Sequence, residues 1–118
     1  MSWMLNTDTF SHAGVNGFQP DDRMRSAGYS FTGNWSWDEN IAWVGTTGTL
    51  DANAEIYQLH QILFLSSGHR KNILNDGFNE TGISAQTGQF TSGANFNAEM
   101  VTQGFAYSGT HNFVTGVA

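Results

Sequence analysis

Cysteine is absent from the 118 residues. No disulfide can brace the chain, and no thiolate can serve as nucleophile or metal ligand. The compartment stays open on that count, because an oxidising environment does not oblige a domain to use disulfides. Positive charge is scarce: 4 Lys and Arg stand against 10 Asp and Glu, for a formal charge of -6. Such a chain repels phosphate backbones and offers no basic stripe, so nucleic acid is not an expected partner. An anionic membrane surface is disfavoured for the same reason, whereas a neutral lipid or sterol in an apolar groove is not. No apolar run approaches the ~20 residues that span a bilayer, so the chain is not expected to cross one. A leader peptide is also missing from view, since "MSWMLNTDTF" has neither a charged start nor a sustained apolar stretch. It reads as the middle of a helix, and we expect an excised domain.

What is present suffices for one domain with a modest core, with hydrophobic residues at 39%. Trp3, Met4 and Leu5 suit a short helix over 2–8, and "AGVNGFQP" a glycine-punctuated loop. "PDDRMRSAG" has Pro at a helix start, two acids in the first turn and Gly28 where a terminating glycine belongs. "YSFTGNWSW" alternates like a strand with Tyr29 and Phe31 on one face, and "ENIAWVG" is a short extended segment. "DANAEIYQLHQILFL" predicts a helix capped by Asp51, with Leu59, Ile62 and Leu63 at helical spacing. Gly68 is expected to break it before a further turn in "HRKNIL". "FNETGISAQTG" and "FNAEMVTQGFAY" read as strands joined through "QFTSGAN" as a hairpin. Helices followed by an antiparallel pair predict an α+β fold.

A short list of residues could carry chemistry: His12, Glu39, Glu55, His60, His69 and the serines Ser66 and Ser67. His12, Glu39 and His69 each sit at the edge of an element among apolar neighbours, where clefts form. If they converge, two imidazoles and a carboxylate make a half-site for Zn2+ or another divalent ion. Ordinary hydrogen-bonded histidines account for the same residues. Competing motifs fail. There is no H-E-x-x-H, "DANAEI" has Ile56 where a calcium loop needs Gly, and no G-x-S-x-G elbow supports a serine nucleophile. His60, in an apolar helical run, and Ser66 are expected at most at a cleft rim. His111 says little. Trp35 and Trp37 share a face that could stack on a sugar, although core packing explains them as well.

Together "FSHAG", "RMRSAGYSF", "DENIAW", "LSSGHRKNIL", "FNETGIS" and "MVTQGFA" resemble, in order, the bacterial branch of the CAP superfamily, the SCP-like extracellular proteins. The resemblance implies an α-β-α sandwich with a central antiparallel sheet and a cleft that holds two His and two Glu and can bind a divalent metal. By motif, His12 and His69 look like the two histidines and Glu39 like the first glutamate. The second glutamate is missing where family members from eukaryotes carry it, at Leu65 and Ser66 here. The usual first helix with its N-x-x-R motif is also unmatched. An apolar face would then lie open, to be covered by a second copy or another segment. The matches run from about Trp3 to Tyr107, residues 1–110 are expected as one N-terminally truncated domain, and "NFVTGVA" within the tail 111–118 looks like the start of a following one.

The resemblance implies a secreted or cell-surface location, and with these residues the expectation is a non-catalytic module with a labile metal site, zinc being the first choice. Its ligand would be an extracellular lipid, sterol, peptide or glycan. The alternative is a metal-assisted peptidase or other hydrolase with Glu39 as general base. A third reading is a structural or adhesive module with a vestigial cleft.

Overall fold

The computed structural model describes residues 2–109. Helix α1 (Ser2–Thr7) is followed by a single 3-10 turn (Val15–Gly17) and helix α2 (Pro20–Ser26). Strand β1 (Trp35–Thr46) comes next, then helices α3 (Ala52–Leu65) and α4 (Ser67–Leu74), then strands β2 (Glu80–Thr91) and β3 (Asn95–Ser108). The three strands form one antiparallel sheet in the order β1-β3-β2, with β3 central. This is the expected α+β architecture.

Side chains alternate across a strand, so each strand serves two layers. On one face Ile41, Phe90, Ala98 and Met100 close over Met4 and Leu5 of α1, with Trp3 and Trp43 packed beside them. On the other, Val101 meets Leu59 and Leu63 of α3, supported by Ala42, Val44 and Ile73. Helices therefore lie on both sides of the sheet, α1 and α2 on one and α3 and α4 on the other. The i, i+4 spacing of Leu59 and Leu63 makes α3 a buried stripe, while Ile62 falls outside it and stays exposed.

Local rules account for the helix ends. The Asp51 carboxylate accepts from the Ala54 N–H at 3.3 Å, as an N-cap should. Asp22 accepts from the Gln19 N–H at 2.9 Å, and Pro20 opens α2 where its missing N–H does no harm. At the far end Gly28 takes φ +97, its N–H reaching the Arg25 carbonyl and that of Tyr29 the Met24 carbonyl, each at 3.0 Å. That is the paired closure that favours glycine after a helix.

Two expectations need correction. Residues 29–34 are not strand, and β1 starts at Trp35, running unbroken through "ENIAWVG". The alternating aromatics serve another purpose: Phe31 packs against Tyr29 and Trp35, and the Arg25 guanidinium lies over Phe31 and Trp35 at 4.9 and 5.4 Å. This cation–aromatic cluster occupies Trp35, which neither enters the core nor stands free. Second, Gly68 does not break the helix. Ser66 does, with extended backbone at ψ 120, and Gly68 lies inside α4. The tail 111–118, His111 included, lies outside the described residues.

Candidate binding cleft

Glu39 is the anchor of the cleft. It sits mid-strand in β1 opposite Gly104 of β3, on the α1/α2 face, and is only 5% exposed. A carboxylate taken from water must find donors close by. His12 supplies one, its Nδ1 at 2.9 Å from Oε1, and Arg23 supplies the other, its Nη2 donating to Oε2 at 2.6 Å. The same guanidinium donates through Nη1 to the His12 carbonyl at 2.8 Å and the Phe18 carbonyl at 3.2 Å. One arginine thus ties helix α2, the loop after α1 and the central sheet into a single unit. Arg23 could not be singled out from sequence as more than a helix-surface charge, because its partners lie 11 and 16 residues away.

His12 itself is open to water, with 53% of its side chain exposed. The bond from Nδ1 to a buried carboxylate fixes the ring and leaves the second nitrogen to the outside.

His69 belongs to a different layer. It lies in α4, its Nδ1 paired with the Ser66 hydroxyl at 2.9 Å, while its carbonyl accepts from the Asn40 amide at 3.0 Å. Asn40 follows Glu39 in β1, so its side chain points to the opposite face of the sheet. There it also donates to Gln103 Oε1 at 3.2 Å and accepts from Asn72 at 2.9 Å. Gln103 in turn reaches His60 Nδ1 at 3.4 Å. Asn40 and Gln103 are buried, and together with Asn72 they fasten the α3–α4 junction to the sheet. Sequence reading passed over these three amides; "ENIAW" and "HRKNIL" both hold the signal, an Asn among apolar residues. Arg70 and Lys71 remain at the wetter edge, Arg70 facing the Phe64 carbonyl near the end of α3 at 3.4 Å.

The structure therefore brings His12 and Glu39 together and sets His69, with Ser66, His60 and Ser67, on the far side of the sheet. Glu55 stands in the first turn of α3, one carboxylate oxygen buried without a partner. Among the described residues no three His, Asp or Glu side chains are grouped to hold a metal ion. The donor set does not fit a divalent ion at Glu39 either. Both carboxylate oxygens are engaged, and the Arg23 cation already stands where a second positive charge would have to bind. The three-ligand convergence is replaced by a His–Glu–Arg cluster.

Beside that cluster lies a trough of about 600 Å3. One wall is α2 and its exit, with Met24, Ala27 and Tyr29; the floor is β2 and β3, with Gly82, Ser84, Thr102, Gly104 and Ala106. Arg23 and Glu39 stand at one end, and at the other the Tyr29 hydroxyl donates to Glu80 at 3.1 Å. Glycine at 104 keeps the floor close to α2, since a Cβ there would lie 3.3 Å from the Met24 methyl and press on it. The walls are mostly apolar, with charge confined to the ends.

Residues 1–112 match the family described as CAP: Cysteine-rich secretory protein family. The chain belongs to the CAP family. No curated protein and no solved structure matches it. The cysteines of the family's name have no counterpart here, so no disulfide braces this CAP domain, and among the described residues two hydrophobic clusters and buried polar bonds hold the layers together. No helix among the described residues is long and apolar enough to cross a membrane.

Proposed function

We propose that this CAP domain is a non-catalytic binding module acting outside the cell, and that its ligand is a neutral lipid or sterol lying in the trough between α2 and the β2–β3 floor. One observation carries the reading: a mostly apolar hollow of about 600 Å3 floored by glycine and small side chains, the size range of small-molecule sites. An acidic chain suits an uncharged ligand better than an anionic one. Glu39 acts here as a positioning residue that fixes His12 and Arg23 at the rim. An extracellular setting agrees with the secretory name of the family.

Gly82→Leu tests this directly. A Cβ at Gly82 meets nothing within 4 Å and Gly82 lines the trough, so a side chain added there takes up ligand space. Binding of cholesterol and of a neutral monoacylglycerol, followed by tryptophan fluorescence, is expected to weaken at least about tenfold while the melting temperature holds. Failure of the unmodified domain to bind either ligand, or equal binding by Gly82→Leu, overturns the reading.

A hydrolase remains the second reading, favoured by the His12–Glu39 pair, and it assigns the residues differently from the expectation drawn from sequence. Glu39 is too enclosed to take a proton from a substrate, so His12 becomes the general base and Glu39 orients it. Turnover of a casein or ester panel that disappears in His12→Gln would establish it; a flat panel removes it.

A further inference from the structure

β2 forms one edge of the sheet, and among the described residues its outer side from Thr81 to Gln89 has none of the devices that usually keep an edge from pairing. From Thr81 to Thr91 the run "TGISAQTGQFT" contains no Lys, Arg, Asp, Glu or Pro. Its pairing with β3 is in unbroken register from Glu80↔Ala106 to Thr91↔Asn95, so no bulge twists the edge away. Residues 81–85 are all exposed, and Ile83 is 64% exposed. Of the helices, α3 lies over β1 and β3 and α4 over β1, leaving α1 as the main cover near the end of β2.

The direction of the free backbone groups follows from one bond. The Thr91 N–H turns away from β3 and donates to the Asp8 carboxylate at 2.8 Å. Orientation alternates along an antiparallel strand, so Thr81, Ile83, Ala85, Thr87 and Gln89 turn their N–H and C=O groups the same way. Asp8 closes the edge at Thr91 and leaves those five residues open.

We propose that this edge is a self-association surface: two copies of the domain pair β2 to β2, antiparallel, about a two-fold axis at Ala85, extending the sheet through both. The five outward residues are symmetric about Ala85, so this register alone uses all of them. It sets Ile83 of one copy opposite Thr87 of the other, and Thr81 opposite Gln89. The smallest side chain of the five sits at the centre, and β-branched residues flank it, as cross-strand pairs prefer. The symmetry of the outward set selects a second copy as occupant, and the uncharged strand is where two such copies can meet. Two molecules of net charge -6 repel over most of their surfaces, but not along an uncharged strand. A strand that pairs with itself in this way gives a closed dimer rather than a fibre. A single added strand pair buries little area, so the dimer is weak and concentration dependent. Thr81 and Ile83 line the trough as well as the edge, but pairing would use their outward backbone groups, so Ala85→Lys reports on association and Gly82→Leu on the ligand, and either reading can fail without the other.

The absence of cysteine makes the test clean. Directly opposed residues of an outward hydrogen-bonded pair lie about 5.5 Å apart at Cα, within disulfide reach. Ala85→Cys under mild oxidation is expected to give a cross-linked dimer, while Gln61→Cys on the exposed side of α3 stays monomeric at the same concentration. Light scattering of the unmodified domain should show a dimer fraction that rises with concentration. Ala85→Lys, which places two ammonium groups face to face at an exposed position, should abolish it with the circular dichroism spectrum unchanged. A monomer at every concentration, cross-linking no faster at position 85 than at 61, or a dimer that survives Ala85→Lys, overturns the proposal.

Discussion

Under α3 and α4 the sheet is sealed over β1 and β3, with β2 left at its margin. Leu59, Leu63 and Val101 close a dry layer, and the Asn40 side chain makes three hydrogen bonds in a fully enclosed position. Under α1 and α2 the same three strands are only partly covered, and their buried charge is met by two side chains that reach into water, His12 and Arg23. The contrast follows from reach. Two consecutive helices joined at Ser66 cover β1 and the centre of the sheet on one face, whereas on the other two short helices leave the floor between α2 and β2 open. Each face has its own hydrophobic core, and the proposed ligand would use the opening on the α1/α2 face.

Substitutions can break that division or sharpen it. The largest loss is expected from Leu63→Ala, which empties a fully enclosed site and should cost about 3 kcal/mol by chemical denaturation. Asn40→Leu should follow at about 2 kcal/mol, because the His69 carbonyl, Gln103 and Asn72 lose their shared partner. Neither change should alter ligand affinity in the folded fraction; a tenfold loss there would mean that the faces are coupled. On the open face Arg23→Met should cost about 1 kcal/mol, since the guanidinium is partly solvated, yet hydrogen exchange of residues 12–18 should quicken markedly. The smallest expected effect is none at all: adding Zn2+ or a chelator should leave the melting curve in place. A zinc-dependent rise would mean that Arg23 yields its position on Glu39.

Much of the fold was legible because it rests on local rules. Asp51, Pro20 and Gly28 mark helix ends by the chemistry of capping, and "QFTSGAN" marks a hairpin by its turn residues between alternating runs. The errors arose where a local pattern had two causes. Alternating aromatics at Tyr29, Phe31 and Trp35 resemble a strand, but Phe31 and Trp35 hold Arg25 and Tyr29 packs on Phe31. Gly68 looks like a helix breaker, yet its backbone accepts the helix and Ser66 turns the chain. The candidate site was half legible. Glu39 and His12 stand out as polar residues in apolar settings, and they do meet. Nothing in the spacing of His69 reveals that its helix docks through Asn40 onto the other side of the sheet.

The chain by itself determined its elements, its lack of covalent bracing, its acidic balance and its family pattern, because each depends on neighbours in sequence or on composition. Tertiary structure decided which face each strand residue serves, and with it the partners of Glu39. A shift of one position in a strand sends a side chain to the opposite layer, so Glu39 and Asn40, adjacent in the chain, were assigned to different environments only when the sheet formed and both faces were covered.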